Sequence, residues 1–256
     1  MCTLSVITHR ALELRYRVVM NRDERDDRLP ARPPAILSFS NVQILAPTDT
    51  KAGGTWIAAN EQGLTFALMN RTDTTRSLAS PATQSRGLII PAIAHHSALP
   101  AARDAARALD WSLFPPCRLT ILGQDNNMLR AALLAWSGID LDVETADIET
   151  LCLASSGLGD ALVQTRIPLF HQFMKANDGS SPHESQSRFH QHRWLDTPET
   201  SVLMSRPAHR TVSITTVDVG PEEVVMTYSD VQRVKDTLDI APGVVCRLAR
   251  SRAHTA

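Results

Sequence analysis

Cys2 is the residue whose position most invites chemistry. Removal of Met1 would leave one residue carrying both a thiol and a free α-amine. That is a nucleophile beside a base, the arrangement of N-terminal-nucleophile enzymes. Cysteine is small, and aminopeptidases that strip an initiator methionine generally tolerate a small second residue. A free α-amine titrates at about 7.7–8.0. It can take the thiol proton and later return it to a leaving amine, assistance typically worth ~10²–10⁴-fold. The second group is the run Asn21-Arg22-Asp23-Glu24. Arg22 would favour thiolate over thiol by charge attraction, and Asp23 could orient the terminal ammonium. Asn21 or Glu24 could share these duties; the plain alternative for Arg22 and Asp23 is a solvated ion pair.

The elements around these residues bring them together. Residues 4–8 and 14–20 read as two short strands, with Leu14, Tyr16 and Val18 alternating with Arg15 and Arg17. An antiparallel hairpin of this length delivers residues 21–24 beside the start of the chain. Pro30, Pro33 and Pro34 mark an irregular crossing segment. Residues 42–46 read as a strand, 51–54 as a tight loop, and 55–60 with 64–70 as a hairpin closed by Gly63. Helices are expected over 87–97, 100–109 and 160–177, where Pro168 should kink the helix or mark its restart. Residues 118–122 and 129–135 form a third hairpin around Asn126 and Asn127, and 150–154 a buried strand. The polar stretch 177–187 reads as a loop. Residues 201–205, 210–217 and 224–228 read as strands, and 230–256 as a short helix and tail. Hairpins dominate and no βαβ repeat occurs, which argues for two antiparallel sheets with helices outside them, an α+β chain. No linker or repeat divides the sequence, so residues 1–256 are expected to form one domain.

Composition excludes several classes of function. The 256 residues carry a formal net charge of −1 without a block of like charges. Neither a nucleic-acid groove nor a polybasic membrane surface is therefore expected. The first twenty residues are too charged for a signal peptide or a membrane span, which predicts a cytoplasmic protein. Cys117, Cys152 and Cys246 form no CxxC pattern with Cys2, so no zinc site or disulfide framework is indicated. His190 and His192, one residue apart, would point in different directions on a helix, and no metal is expected there. Gly157-Leu158-Gly159-Asp160 reads as a helix cap rather than an anion site. Trp56 reads as core.

The motifs Cys2-Thr3-Leu4, Asn21-Arg22-Asp23-Glu24 and Gly53-Gly54-Thr55-Trp56 resemble those of the NRDE proteins, also called the transport and Golgi organisation family. Asn60-Glu61-Gln62-Gly63-Leu64, Ala67-Leu68-Met69-Asn70, Ser85-Arg86-Gly87 and Arg210-Thr211 follow in the family's order. The resemblance implies the N-terminal nucleophile fold, a four-layer αββα sandwich, near the choloylglycine and penicillin-acylase type cysteine amidases. It suggests the backbone N–H of Asn70 as one oxyanion donor. A second donor in those amidases is an asparagine side chain; here Ser156 stands in its place. Arg210 matches a late arginine bounding the active site, with Arg206 as a nearby competitor. In the bile-salt amidases an arginine precedes the aspartate by three positions, whereas Arg22 immediately precedes Asp23.

These readings predict an N-terminal cysteine amidohydrolase or acyltransferase acting on a small non-peptide C–N amide, without a cofactor. Its partner would be a small-molecule substrate; the sequence does not specify an oligomeric state. What is proposed for eukaryotic relatives supports a rival, a non-catalytic carrier of haem, lipid or acyl-CoA on the same fold.

Overall fold

The computed structural model of the chain describes residues 2–10, 14–72, 83–125, 128–176, 178–235 and 237–251. In chain order the strands are β1 (Cys2–Arg10), β2 (Leu14–Arg25), β3 (Arg32–Phe39), β4 (Val42–Thr48), β5 (Ile57–Asn60) and β6 (Thr65–Asn70). Two helices follow, α1 (Ile89–Ile93) and α2 (Leu99–Arg107), then β7 (Cys117–Asp125), β8 (Met128–Trp136), β9 (Leu141–Asp147) and β10 (Thr150–Ser155). After α3 (Arg166–Lys175) and α4 (Pro182–His190) come β11 (Ser205–Arg206), β12 (His209–Val219), β13 (Glu223–Val234), β14 (Thr237–Ile240) and β15 (Val244–Ala249).

Among the described residues the strands form two antiparallel sheets. One has the order β10-β1-β2-β12-β13-β14, with β11 on β12 and β15 on β13; the other runs β3 to β9 in sequence order. Strand alternation sets the layers. Leu4, Val6, Tyr16, Val18 and Met20 face Leu45, Ile57, Ala67 and Met69 across the space between the sheets. Each fully buried Leu, Val, Ile or Met among them contributes roughly 1.5–3 kcal/mol. Ile89, Ile93 and Ala102 of α1 and α2 cover Phe66, Leu119 and Ile121 on the far side of the second sheet. Phe170 and Phe189 of α3 and α4 cover Ile7 and Cys152 on the far side of the first. The result is the four-layer αββα sandwich of the N-terminal nucleophile fold. Among the described residues no helix is long and apolar enough to cross a membrane.

Several local expectations are corrected. The proline-rich crossing segment is strand β3, which tolerates Pro33 and Pro34 because it lies at a sheet edge and carries a register shift between Arg32 and Ala35. The polar stretch after residue 177 contains helix α4, begun by a capping box in which Ser181 and Glu184 satisfy each other's backbone N–H groups. Residues 201–204 are buried but irregular, with only Ser205–Arg206 paired as a strand. The expected C-terminal helix is absent among the described residues; β13 runs on to Val234, and β14 and β15 pair with it. The helix expected over 160–177 is a 3₁₀ turn, Asp160–Val163, followed by α3 with Pro168 in its first turn. Proline is tolerated there because the first-turn N–H groups have no intrahelical acceptor. The tip residues Asn126 and Asn127 lie outside the described residues.

Candidate active site

The first hairpin fixes the site. In β1–β2 the Cα partner of Cys2 is Arg22, and on its other side Cys2 pairs with Ser155 of β10. Strand β2 continues to Arg25, so the run 21–24 lies within the strand and its side chains alternate between faces. Cys2 is 5% exposed and belongs to the layer between the sheets. Its backbone nitrogen donates to Ser155 Oγ at 3.2 Å. Burial raises the thiol's pKa, while the backbone N–H of Asp23 and the charge of Arg22 act in the opposite direction.

Arg22 turns inward. Its Nη2 donates to Asp49 Oδ2 at 2.7 Å and to Glu24 Oε2 at 3.4 Å, and its guanidinium lies 4.3 Å from the Trp56 ring centroid. Arg28 also donates to Asp49, through Nη2 at 2.8 Å. Burial acts to raise the Asp49 carboxyl, but the Ala52 N–H and the two guanidiniums outweigh it and hold the group below its usual range. Trp56 is core, as expected, and is also the floor on which Arg22 rests.

Asn21 and Asp23 turn outward. Asn21 Nδ2 donates to the carbonyls of His190 and Val202, each at 2.9 Å, and its Oδ1 faces His190 Nδ1 at 2.7 Å. His190 Nε2 is 2.6 Å from Ser5 Oγ, so both ring nitrogens are engaged and burial lowers its pKa to about 3. Asp23 Oδ1 accepts from Thr211 Oγ1 at 2.7 Å, and Arg166 Nη1 lies 3.8 Å from Oδ2. An extra residue in β12, Val212, shifts the register opposite Arg22 and Asp23 and re-aims Thr211. Burial raises the Asp23 carboxyl, and Arg166 and Thr211 restrain the rise.

Asn70 ends β6 on the opposite sheet. Arg71 N–H donates to Pro116 on the β7 side, and Leu68 N–H to Trp56 on the β5 side. Alternation therefore turns the Asn70 N–H toward the β5 side, beyond the end of that strand. A cavity of about 120 Å³ opens there, lined by Cys2, Arg22, Trp56, Asn70 and Arg86 among others. A wider cleft of about 790 Å³ adjoins it, sharing Asp23, Glu24 and Asn70, with Leu158, Arg206 and His209 in its walls. The wall between residues 54 and 87 is backbone against backbone: a Cβ on Gly54 would lie 2.3 Å from the Gly87 carbonyl oxygen, and Thr55 N–H donates to that same oxygen at 3.0 Å.

Four sequence-predicted residues, Cys2, Arg22, Asp23 and Asn70, thus line one cavity. Two do not. Ser156 donates its N–H to Asp160 Oδ1 at 3.0 Å, and its hydroxyl accepts from Leu158 N–H at 3.2 Å, which builds the turn after β10. Ser155, the last residue of β10, takes the place beside Cys2, and the chain leaves the strand at Ser156. Arg210 donates to Asp26 and to the Val231 carbonyl and lies outside both cavities. Arg206, the competitor, lines the wide cleft. Sequence reasoning missed Ser155, Asp49, Arg86 and Arg166. Ser155 was reachable by counting register from β1, and Arg86 by its place in Ser85-Arg86-Gly87.

The cysteine at the head of β1, paired with Arg22, thus lines one cavity with Asn70. Residues 1–109 match the model of the Transport and Golgi organisation 2 family. The motifs from Cys2 to Gly87 that suggested this family lie inside the matched segment. No curated protein matches the sequence. Among solved structures, a Caenorhabditis elegans N-acylethanolamine-hydrolyzing acid amidase ortholog superposes with a TM-score of 0.53 at 11% identity, over 84% of this chain and 92% of that one. The mutant C2A conjugated bile acid hydrolase from Clostridium perfringens aligns with a TM-score of 0.47 at 10% identity, over 100% of both chains. At such identities the first likeness concerns the fold.

Proposed function

We propose that the chain is an N-terminal cysteine amidohydrolase or acyltransferase acting on a small non-peptide C–N amide, with Cys2 as nucleophile once Met1 is removed. The observation that supports this reading is the placement of Cys2: its nitrogen rests on Ser155 while its residue lines the cavity shared with Asn70. A buried thiol with a raised pKa does not ionise unaided at neutral pH. The amine freed with Met1 supplies the base. It takes the thiol proton, the sulfur attacks the amide carbonyl carbon, and the oxyanion accepts the Asn70 N–H. Such a donor is worth roughly 10²–10³-fold in rate. The ammonium then protonates the leaving nitrogen as the C–N bond breaks, and water or an acceptor amine cleaves the thioester. Asp23 serves through its backbone N–H toward the sulfur, while its carboxylate accepts from Thr211 and can orient the terminal ammonium.

Intact-mass measurement of the mature chain from its natural host tests the first requirement. The expected mass lacks one methionine; retained Met1 overturns the mechanism. Labelling by a thiol-reactive acylating probe tests the second. Cys2→Ala should abolish it, and unchanged labelling would remove Cys2 from the reaction.

A further inference from the structure

The arginines around Cys2 are matched with carboxylates, with one exception. Arg22 and Arg28 both meet Asp49, Arg22 also meets Glu24, and Arg166 lies against Asp23. Arg86 lines the same 120 Å³ cavity, yet among the described residues its guanidinium donates only to the Pro116 carbonyl, at 3.0 Å. Among the described residues it forms no ion pair. A partly buried cation without a counter-ion is costly to the extent that its desolvation is not offset by a nearby negative charge. Burial accordingly presses the Arg86 pKa below its usual value. A second donor stands in the same wall. The Trp56 Nε1–H is buried and has no acceptor among the described residues.

We propose that Arg86 is the anion-recognition residue of the site, and that the group held beside Cys2 carries a small carboxylate. The inference rests on the reading of Cys2 as nucleophile. The substrates would be amides with a carboxylate a few bonds from the scissile carbonyl. Size agrees, since a cavity of about 120 Å³ exceeds several-fold the ~10–15 Å³ of probe space that one water needs. The wider cleft then receives the other half of the amide. Arginine suits the task because its planar fork meets a carboxylate through two parallel N–H donors.

The test compares alkylation of Cys2 by iodoacetate and by iodoacetamide in the Met1-free protein, read by peptide mass spectrometry. In both reactions the thiolate displaces iodide; only iodoacetate brings a carboxylate. Taking the rate ratio of the two reagents cancels any change in the thiolate fraction. We expect the iodoacetate-to-iodoacetamide ratio at Cys2 to exceed that of the same thiol in the denatured chain by about tenfold or more. It should fall to the denatured value in Arg86→Gln and stay within a few-fold of the parent in Arg86→Lys. An unenriched ratio in the folded parent overturns the proposal, as does an unchanged ratio in a folded Arg86→Gln. The denatured-chain reference keeps the test decisive even if that variant fails to fold. If folded Cys2 resists both reagents, the nucleophile reading falls instead. Calorimetric titration with succinate then judges Arg86 alone: binding lost in Arg86→Gln supports it, and no binding by the parent overturns it.

Discussion

On the inner face of β2, Arg22 and Glu24 look into a cavity with Cys2; on the outer face, Asn21 is sealed beneath α4 while Asp23 meets Arg166 of α3 at the border of the two cavities. The four residues are consecutive, yet strand alternation sends them to two environments with different demands. Inside, charge is shared and partly open to solvent: two arginines converge on Asp49, and the Arg22 guanidinium lies over the Trp56 ring. Outside, His190 is locked between Asn21 and Ser5, Gln186 also donates to Ser5, and Arg166 bridges Thr3 and Asp23. The outer network holds β1 and β2 in register. The inner cluster can then serve the thiol at the head of β1 without also carrying the hairpin.

The sharpest way to break this contrast is to delete one arginine from each face. Arg166 and Asp23 have side chains only 1% exposed, so Arg166→Met takes a buried guanidinium away from a buried carboxylate. A loss of about 3–5 kcal/mol in stability is expected. In Arg22→Met, Asp49 keeps Arg28 and the backbone N–H groups of Lys51 and Ala52. The expected loss is about 1 kcal/mol. Urea unfolding of both variants measures the difference, and equal losses would erase the distinction between the faces.

Acid should reach the outer face next. His190 titrates at about 3 in the folded protein against an ordinary value of 6.5. Between these values the unfolded chain binds a proton that the folded chain does not. Stability from this residue is therefore complete above about pH 6.5 and is lost as pH falls toward 3. From pH 7.5 to 5.5 the loss is about 1.4 kcal/mol, given 1.36 kcal/mol per pK unit. His190→Gln should flatten the pH dependence of the urea midpoint by that amount. An identical slope in parent and variant would place the imidazole outside the sealed network.

These contrasts also show what could be read from the residues alone. The hairpin was legible because residues 14–20 alternate and the connection is short, which fixes Arg22 opposite Cys2 almost by counting. Gly63, at φ +80°, closes the second hairpin as its turn demands. Strand β3 was hidden by prolines that only an edge position tolerates, and α4 by a polar composition that concealed its capping box. Strands β14 and β15 are short and interleaved with charges, so their pairing with β13 left little pattern. In the site, Asp49, Arg86 and Arg166 come from distant turns and a helix. No local periodicity records that a chain will bring Arg166 within reach of Thr3, 163 residues away.

The smallest expected effect probes the end of β10, where the strand gives way to its turn. Ser155 faces Cys2 and accepts its N–H, whereas Ser156 turns away to shape the loop toward Asp160. Ser155→Ala removes one hydrogen bond from the nitrogen that serves as base. A single such bond is worth about 1 kcal/mol, so acylation of Cys2 should slow by about fivefold. Ser156→Ala retains the backbone bond to Asp160 and should change that rate by less than about twofold, because Ser156 lines neither the cavity nor the cleft. Rates measured with the same acylating probe decide the order. A larger effect at Ser156 would mean that the loop, rather than the strand, positions the nucleophile, and would return the second oxyanion donor to the hydroxyl at 156.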